Sequence, residues 1–82
     1  MTSAGDIVVA TALECRPRFL VLDVEDDHIG AALLADLSKE SIQRLVHGHT
    51  ETVLQAVRQT DVDTYRVPRE DVAPTTVLEA PP

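Results

Sequence analysis

The stretch Leu37 to Gln59, LSKESIQRLVHGHTETVLQAVRQ, decides how this chain is read, because it alone has a start signal, a sustained period and a stop. Ser38 is an N-cap: its hydroxyl can accept a hydrogen bond from an amide of the first turn. Counted from it, Leu37 falls at N′ and Ile42 at N4, the two positions of a hydrophobic staple. Glu40 suits the positive end of the helix dipole and pairs at i, i+4 with Arg44. The capping box is incomplete, because Ser41 stands at N3. Apolar residues then recur as Ile42, Leu45, Val46, Val53, Ala56 and Val57, with His49 on the same stripe, a period near 3.6. Arg58 suits the carbonyl end. Gly48 interrupts the pattern at a cost of about 1 kcal/mol relative to Ala. It could divide the stretch in two, but the apolar phase carries across it, so one helix over about 39–59 is expected.

Upstream, Ile7 to Leu13 is a run rich in β-branched residues and too short for a good helix, hence a strand over about 6–14. Pro17 marks the following turn. Phe19 to Glu25 gives a second strand, 19–25, and strand–turn–strand is a hairpin. After Asp26-Asp27-His28, residues 29–37 read as a strand by alternation and as a helix by Ala and Leu propensity. The strand is preferred, because it delivers the chain directly to the Ser38 cap. The expected fold is α+β: a three-stranded antiparallel meander (6–14, 19–25, 29–37) followed by one helix.

One helix covers one face of a sheet, yet strands one and two are apolar on both faces. Ile7, Val9 and Leu13 oppose Val8, Ala10 and Ala12; Leu20, Leu22 and Val24 oppose Phe19 and Val21. Monomers rarely leave such a face open. A second copy, another protein or the chain's own C-terminal arm must cover it. The domain expected is 1–60, with 61–82 an extended, acidic, Pro-containing arm. Asp61 to Val67 can form an edge strand, and Thr75 to Leu78 is also β-prone. The residues expected at an interface are Val8, Ala10, Leu20, Leu22, Val24, Tyr65, Val67, Val77 and Leu78.

At 82 residues the chain is one domain, of a size that buries only about 60–65% of its unfolded surface. With one Cys there is no internal disulfide, and no Cys/His cluster has zinc spacing. Oligomerisation is the remaining staple for so small a fold. The net charge of −7 disfavours nucleic acid and anionic membranes as partners. Residues 1–6 have no basic n-region, so no signal peptide is expected, and no apolar run approaches a membrane span of about 20 residues. The expected location is cytoplasmic, or assembled into a virion.

Candidate chemistry is sparse. Asp23, Glu25, Asp26, Asp27 and His28 could offer hard oxygens and an imidazole to a divalent metal, but they lack the glycine and alternating oxygens of a calcium loop. They read instead as an acidic turn. His47 and His49, two apart on a helix, cannot share an ion. Cys15 sits beside Arg16 and Arg18, which could lower a thiol pKa, yet no His or acid has recognisable spacing to it. Gly5, Gly30 and Gly48 are isolated and form no phosphate loop. No catalytic residue, metal, cofactor or small-molecule substrate is expected.

The run Leu33 to Leu45, LLADLSKESIQRL, resembles the strand, L-S/T-x-E, helix layout of small uncharacterised proteins from actinobacteria and their phages. The lack of Asn and the single Lys fit a GC-rich source. The resemblance implies a source class and no activity. Two functions are therefore expected: a non-enzymatic structural or assembly protein, a small homo-oligomer and an accessory component of a phage particle, or an acidic regulator or inhibitor whose tail orders on a basic protein.

Overall fold

β1 (Ile7–Ala10), β2 (Arg18–Val24) and β3 (His28–Leu33) form the expected antiparallel meander in a computed structural model that describes residues 2–75. β1 is shorter than the predicted 6–14. Its register with β2 pairs Ile7 with Leu20, Val8 with Phe19 and Val9 with Arg18, so the next pair would be Ala10 with Pro17. Pro17 accepts from the Ala10 amide at 2.9 Å but has no N–H to return, and the ladder stops. The chain then turns, with the Arg16 amide donating to the Leu13 carbonyl at 3.0 Å. β3 is also shorter than the predicted 29–37. Continued alternation would carry Asp36 onto the face that buries Ala32 and Leu34, a costly place for a carboxylate. A 3-10 turn over Leu34–Asp36 keeps Leu34 buried and Asp36 exposed.

The expected single helix is two. α1 (Lys39–Val46) begins as read: Ser38 Oγ accepts from the Ser41 amide at 3.1 Å, Leu37 and Ile42 pack together with the same core, and Arg44 pairs with Glu40. It ends in a Schellman motif: the His49 amide donates to the Arg44 carbonyl at 2.8 Å and the Gly48 amide to that of Leu45 at 3.1 Å. Gly48 takes φ +83°, a left-handed conformation that suits glycine. α2 (Thr50–Arg58) therefore starts in a new phase. It buries Val53, Leu54 and Val57, whereas Val46, on the continuous stripe, is 59% exposed, and His49 is an exposed N-cap.

The arm is part of the sheet and not a separate extension after residue 60. β4 (Tyr65–Pro68) pairs with β3, and β5 (Val72–Pro74) pairs with β1, giving the order β4-β3-β2-β1-β5. The edges of this five-stranded antiparallel sheet are joined by only three residues, the 3-10 turn Arg69–Asp71. Four residue steps reach at most ~14 Å. Four strand spacings across a flat sheet are ~19 Å. Moreover, Pro68 lies opposite the start of β3 and Val72 opposite the end of β1. Only a strongly curled sheet satisfies both. The turn itself bridges the gap: the Arg69 amide donates to the Asp27 carbonyl at 3.1 Å and the Thr11 amide to the Asp71 carbonyl at 2.9 Å. β4 and β5 are two halves of one kinked strand that nearly closes a small barrel.

Two apolar cores result. Outside the curl, α1 and α2 cover Leu20, Leu22, Ala32 and Leu34, with Ile7 and Val62 at the margin. Inside it, Val8, Ala10, Phe19, Val21, Ile29 and Ala31 pack under Val67 of β4 and Val72 of β5. The second face of the sheet is thus covered by the sheet's own curvature and by the arm. One sorting of side chains differs from simple alternation. Val21 pairs with Ala31 and Asp23 with Gly30, a β-bulge with two residues against one. It returns Val24 to the inner face beside Ile29, so Val24 does not share the face of Leu20 and Leu22. Among the described residues no helix is long and apolar enough to cross a membrane.

Gly48→Ala should cost about 1–2 kcal/mol, the penalty of a left-handed L-residue, because an added methyl at Gly48 meets nothing within 4 Å. Gly5→Ala should cost more. Its φ is +95° and the methyl would lie 2.8 Å from Thr50 Cγ2 on α2. Urea unfolding of the two variants ranks them; equal losses would mean that the Gly5–α2 contact relaxes freely.

Candidate functional site

The β2–β3 hairpin is the most densely charged place in the fold. Its turn, Glu25-Asp26-Asp27, is closed by the Glu25 amide donating to the His28 carbonyl at 2.9 Å. The arm clasps it from the side. Arg69 directs its guanidinium at the carbonyls of Glu25 (3.2 Å) and Asp26 (3.4 Å), while its own amide holds Asp27. His28 Nδ1 donates to Asp27 Oδ1 at 2.7 Å. That nitrogen has one proton to give, so the Arg66 guanidinium, 3.5 Å away, acts as a charge neighbour of the pair. The hydrogen bond from His28, then its charge, hold the Asp27 carboxyl below its ordinary value, and Arg66 adds to the effect.

The side chains considered as metal ligands do not converge. Asp23 lies over Gly30 on the bulged strand, and Glu25 and Asp26 point into solvent. Among the described residues no three His, Cys, Asp or Glu side chains are placed to hold an ion together. His47 and His49 flank Gly48 and are both exposed, and Cys15 is an exposed free thiol in the β1–β2 turn.

Of the residues expected at an interface, Val8, Ala10, Leu20 and Leu22 are core residues of the single chain and reach no partner in this fold. A charge placed at Leu22 would test folding, not docking. Val24 (37% exposed) and Tyr65 (38%) lie at the rim of the inner face, and Val67, on the edge strand β4, is half-buried against the inner core. Tyr65 meets Phe19 edge-on, with ring centroids 6.0 Å apart. Val77 and Leu78 lie outside the described residues.

What the sequence reading missed is how the arginines are used. Arg44 pairs with Glu40, Arg58 donates to the Leu22 carbonyl at 2.7 Å, Arg66 flanks His28, and Arg69 clasps the hairpin. Four of the six arginines thus serve the chain itself, while the side chains of Arg16 and Arg18 have no hydrogen-bond or ion-pair partner among the described residues. Conversely, Asp23, Glu25 and Asp26 are exposed and unpaired among those residues. Comparisons with protein-family models, with curated proteins and with solved structures find no match.

The Asp27 shift has a sign that can be checked. Its carboxylate contributes stability above the ordinary aspartate range, and that contribution is lost as pH falls through its lowered native value. In carboxyl-carbon NMR, Asp27 should titrate below the other exposed aspartates. His28→Gln should raise it toward the ordinary aspartate range; an unchanged midpoint would mean that the pair does not form in solution.

Proposed function

We propose that this chain acts without catalysis, as an acidic protein that binds a basic protein partner through the β2–β3 hairpin. The supporting observation is the division of charge there. Arg69 is spent on main-chain carbonyls and Arg66 on the His28 pair, so Asp23, Glu25 and Asp26 face outward uncompensated. The clasp also fixes the turn, so little order is lost on binding. The net charge of −7 would steer a basic partner toward the chain. A cytoplasmic location fits a regulator or inhibitor of this kind.

Self-assembly is the second reading, including a place as an accessory component of a phage particle. Its earlier ground was an uncovered sheet face, which the curled sheet covers. It now draws support from the rim, where Val24 and Tyr65 remain partly exposed beside the short edge strand β4.

The two readings differ in solution. The first expects a monomer of 8.9 kDa by light scattering at low and high salt. It also expects capture of a basic partner that is lost above about 0.5 M salt, where charges are screened within a few ångströms. Glu25→Lys with Asp26→Lys should leave Tm nearly unchanged and weaken that capture at least tenfold. A salt-insensitive oligomer, broken by Tyr65→Glu while the hairpin variant assembles normally, would favour the second reading and sink the first.

A further inference from the structure

We propose that a groove on the outer side of the β1–β2 turn binds a small anionic ligand, a carboxylate or phosphate with a short apolar part, through Arg16 and Arg18. The groove is open to solvent and has a volume of about 440 Å³, in the ~300–1,000 Å³ range of ligand pockets. It lies beyond the reach of the helices, which cover the lower part of the same sheet face. Val9, half-buried on β1, lines it and offers an apolar contact. Thr11 forms part of the wall and is held in place, its hydroxyl donating to the Asp71 carbonyl at 3.2 Å.

Two observations converge on this groove. First, both arginines line it, and they are the two whose side chains the fold leaves without a partner among the described residues. In a chain with seven basic and fourteen acidic residues, two adjacent unpaired guanidiniums are a local reversal of charge. Guanidinium is the side chain that matches carboxylate and phosphate in bidentate fashion. Second, Arg16 takes φ +46°. Glycine or asparagine would fill that left-handed position at lower cost, so the turn carries strain to place an arginine there. Glu14 lines the same groove without forming an ion pair to either arginine among the described residues. Its carboxylate opposes an anion and sets an upper bound on affinity that a single substitution can lift. This inference is independent of the acidic hairpin, and it departs from the expectation of no small-molecule ligand.

The test is an amide NMR titration of the whole chain with inorganic phosphate, acetate and butyrate, with chloride as control. Saturable shifts are expected at Val9, Thr11, Arg16 and Arg18. Butyrate should bind more tightly than acetate, by up to about tenfold if both extra methylenes are buried on Val9. Arg18→Gln and Arg16→Gly should each weaken binding about tenfold or more, Arg16→Gly with an unchanged or higher Tm because strain is relieved. Glu14→Gln should tighten it. Saturation by phosphate alone, or by carboxylates alone, would assign the ligand to that class. Linear shifts matched by chloride, or native titration in both arginine variants, would overturn the proposal. A glutamate-rich peptide binding a hundredfold tighter than acetate would overturn the small-ligand part and assign the carboxylates to a protein.

Discussion

The short link between β4 and β5 is the constraint on which the rest of this structure depends. A chain that must cross from one sheet edge to the other in three residues cannot do so over a flat sheet, so the sheet has to curl until its edges nearly meet. Curling has a steric condition. The concave face must be lined with side chains small enough to fit a tight radius. The inner residues meet it: Ala10, Ala31, Val8 and Val21, with Phe19 and Ile29 as the larger fillers. The chain's two aromatic residues, Phe19 and Tyr65, meet on this same face.

Closure also changes what the helices have to do. With the inner face covered by curvature, α1 and α2 need to bury only the outer one. A straight helix over residues 39–59 would cross that convex surface and leave it. The Schellman turn at Gly48 breaks the helix so that both pieces lie on the same core, Leu45 from one and Val53, Leu54 and Val57 from the other. Arg58 then ties the end of α2 to the sheet through the Leu22 carbonyl, at the strand position where the bulge interrupts the β3 ladder. The bulge and the helix break are both local departures from regularity that curvature requires.

Much of this was legible where the signal is local. The Ser38 cap, the Leu37–Ile42 staple, the Glu40–Arg44 pair and the three-stranded meander follow from side chains a few residues apart. The two-sided apolar strands correctly implied a second cover, and the chain's own arm was among the covers weighed. The misses share one cause: they depend on register or curvature, which are set by distant partners. Leu54 lies beyond the edge of the apolar stripe of a continuous helix, so its full burial is clear only once the break is known. Val24 changes face because of a bulge that no residue in its own strand announces. β5, residues 72–74, is three residues with Pro74, and it is a strand because β1 offers an edge to it. The acidic turn was legible as a cluster, but its clasp was not, since Arg69 is more than forty positions away.

The same remoteness governs charge. From composition the chain is simply acidic. In the fold, Arg58 and Arg69 have their guanidiniums on carbonyl oxygens and Arg66 beside an imidazole–carboxylate pair, where they act as ties and do little to offset the exposed carboxylates. A small domain with a single cysteine gains from such ties, because a hydrogen bond from a charged donor to a carbonyl is worth about 1.5–3 kcal/mol. The consequence is a surface more polarised than the sequence suggests. Exposed carboxylates cluster at the β2–β3 turn, and the Arg16 and Arg18 guanidiniums lie with Glu14 at the β1–β2 turn. These are opposite ends of β2, about seven residues or ~23 Å apart along the strand. Two patches of opposite sign at that separation exceed the Debye length of about 8 Å at physiological salt. The charges of one patch are therefore largely screened from those of the other.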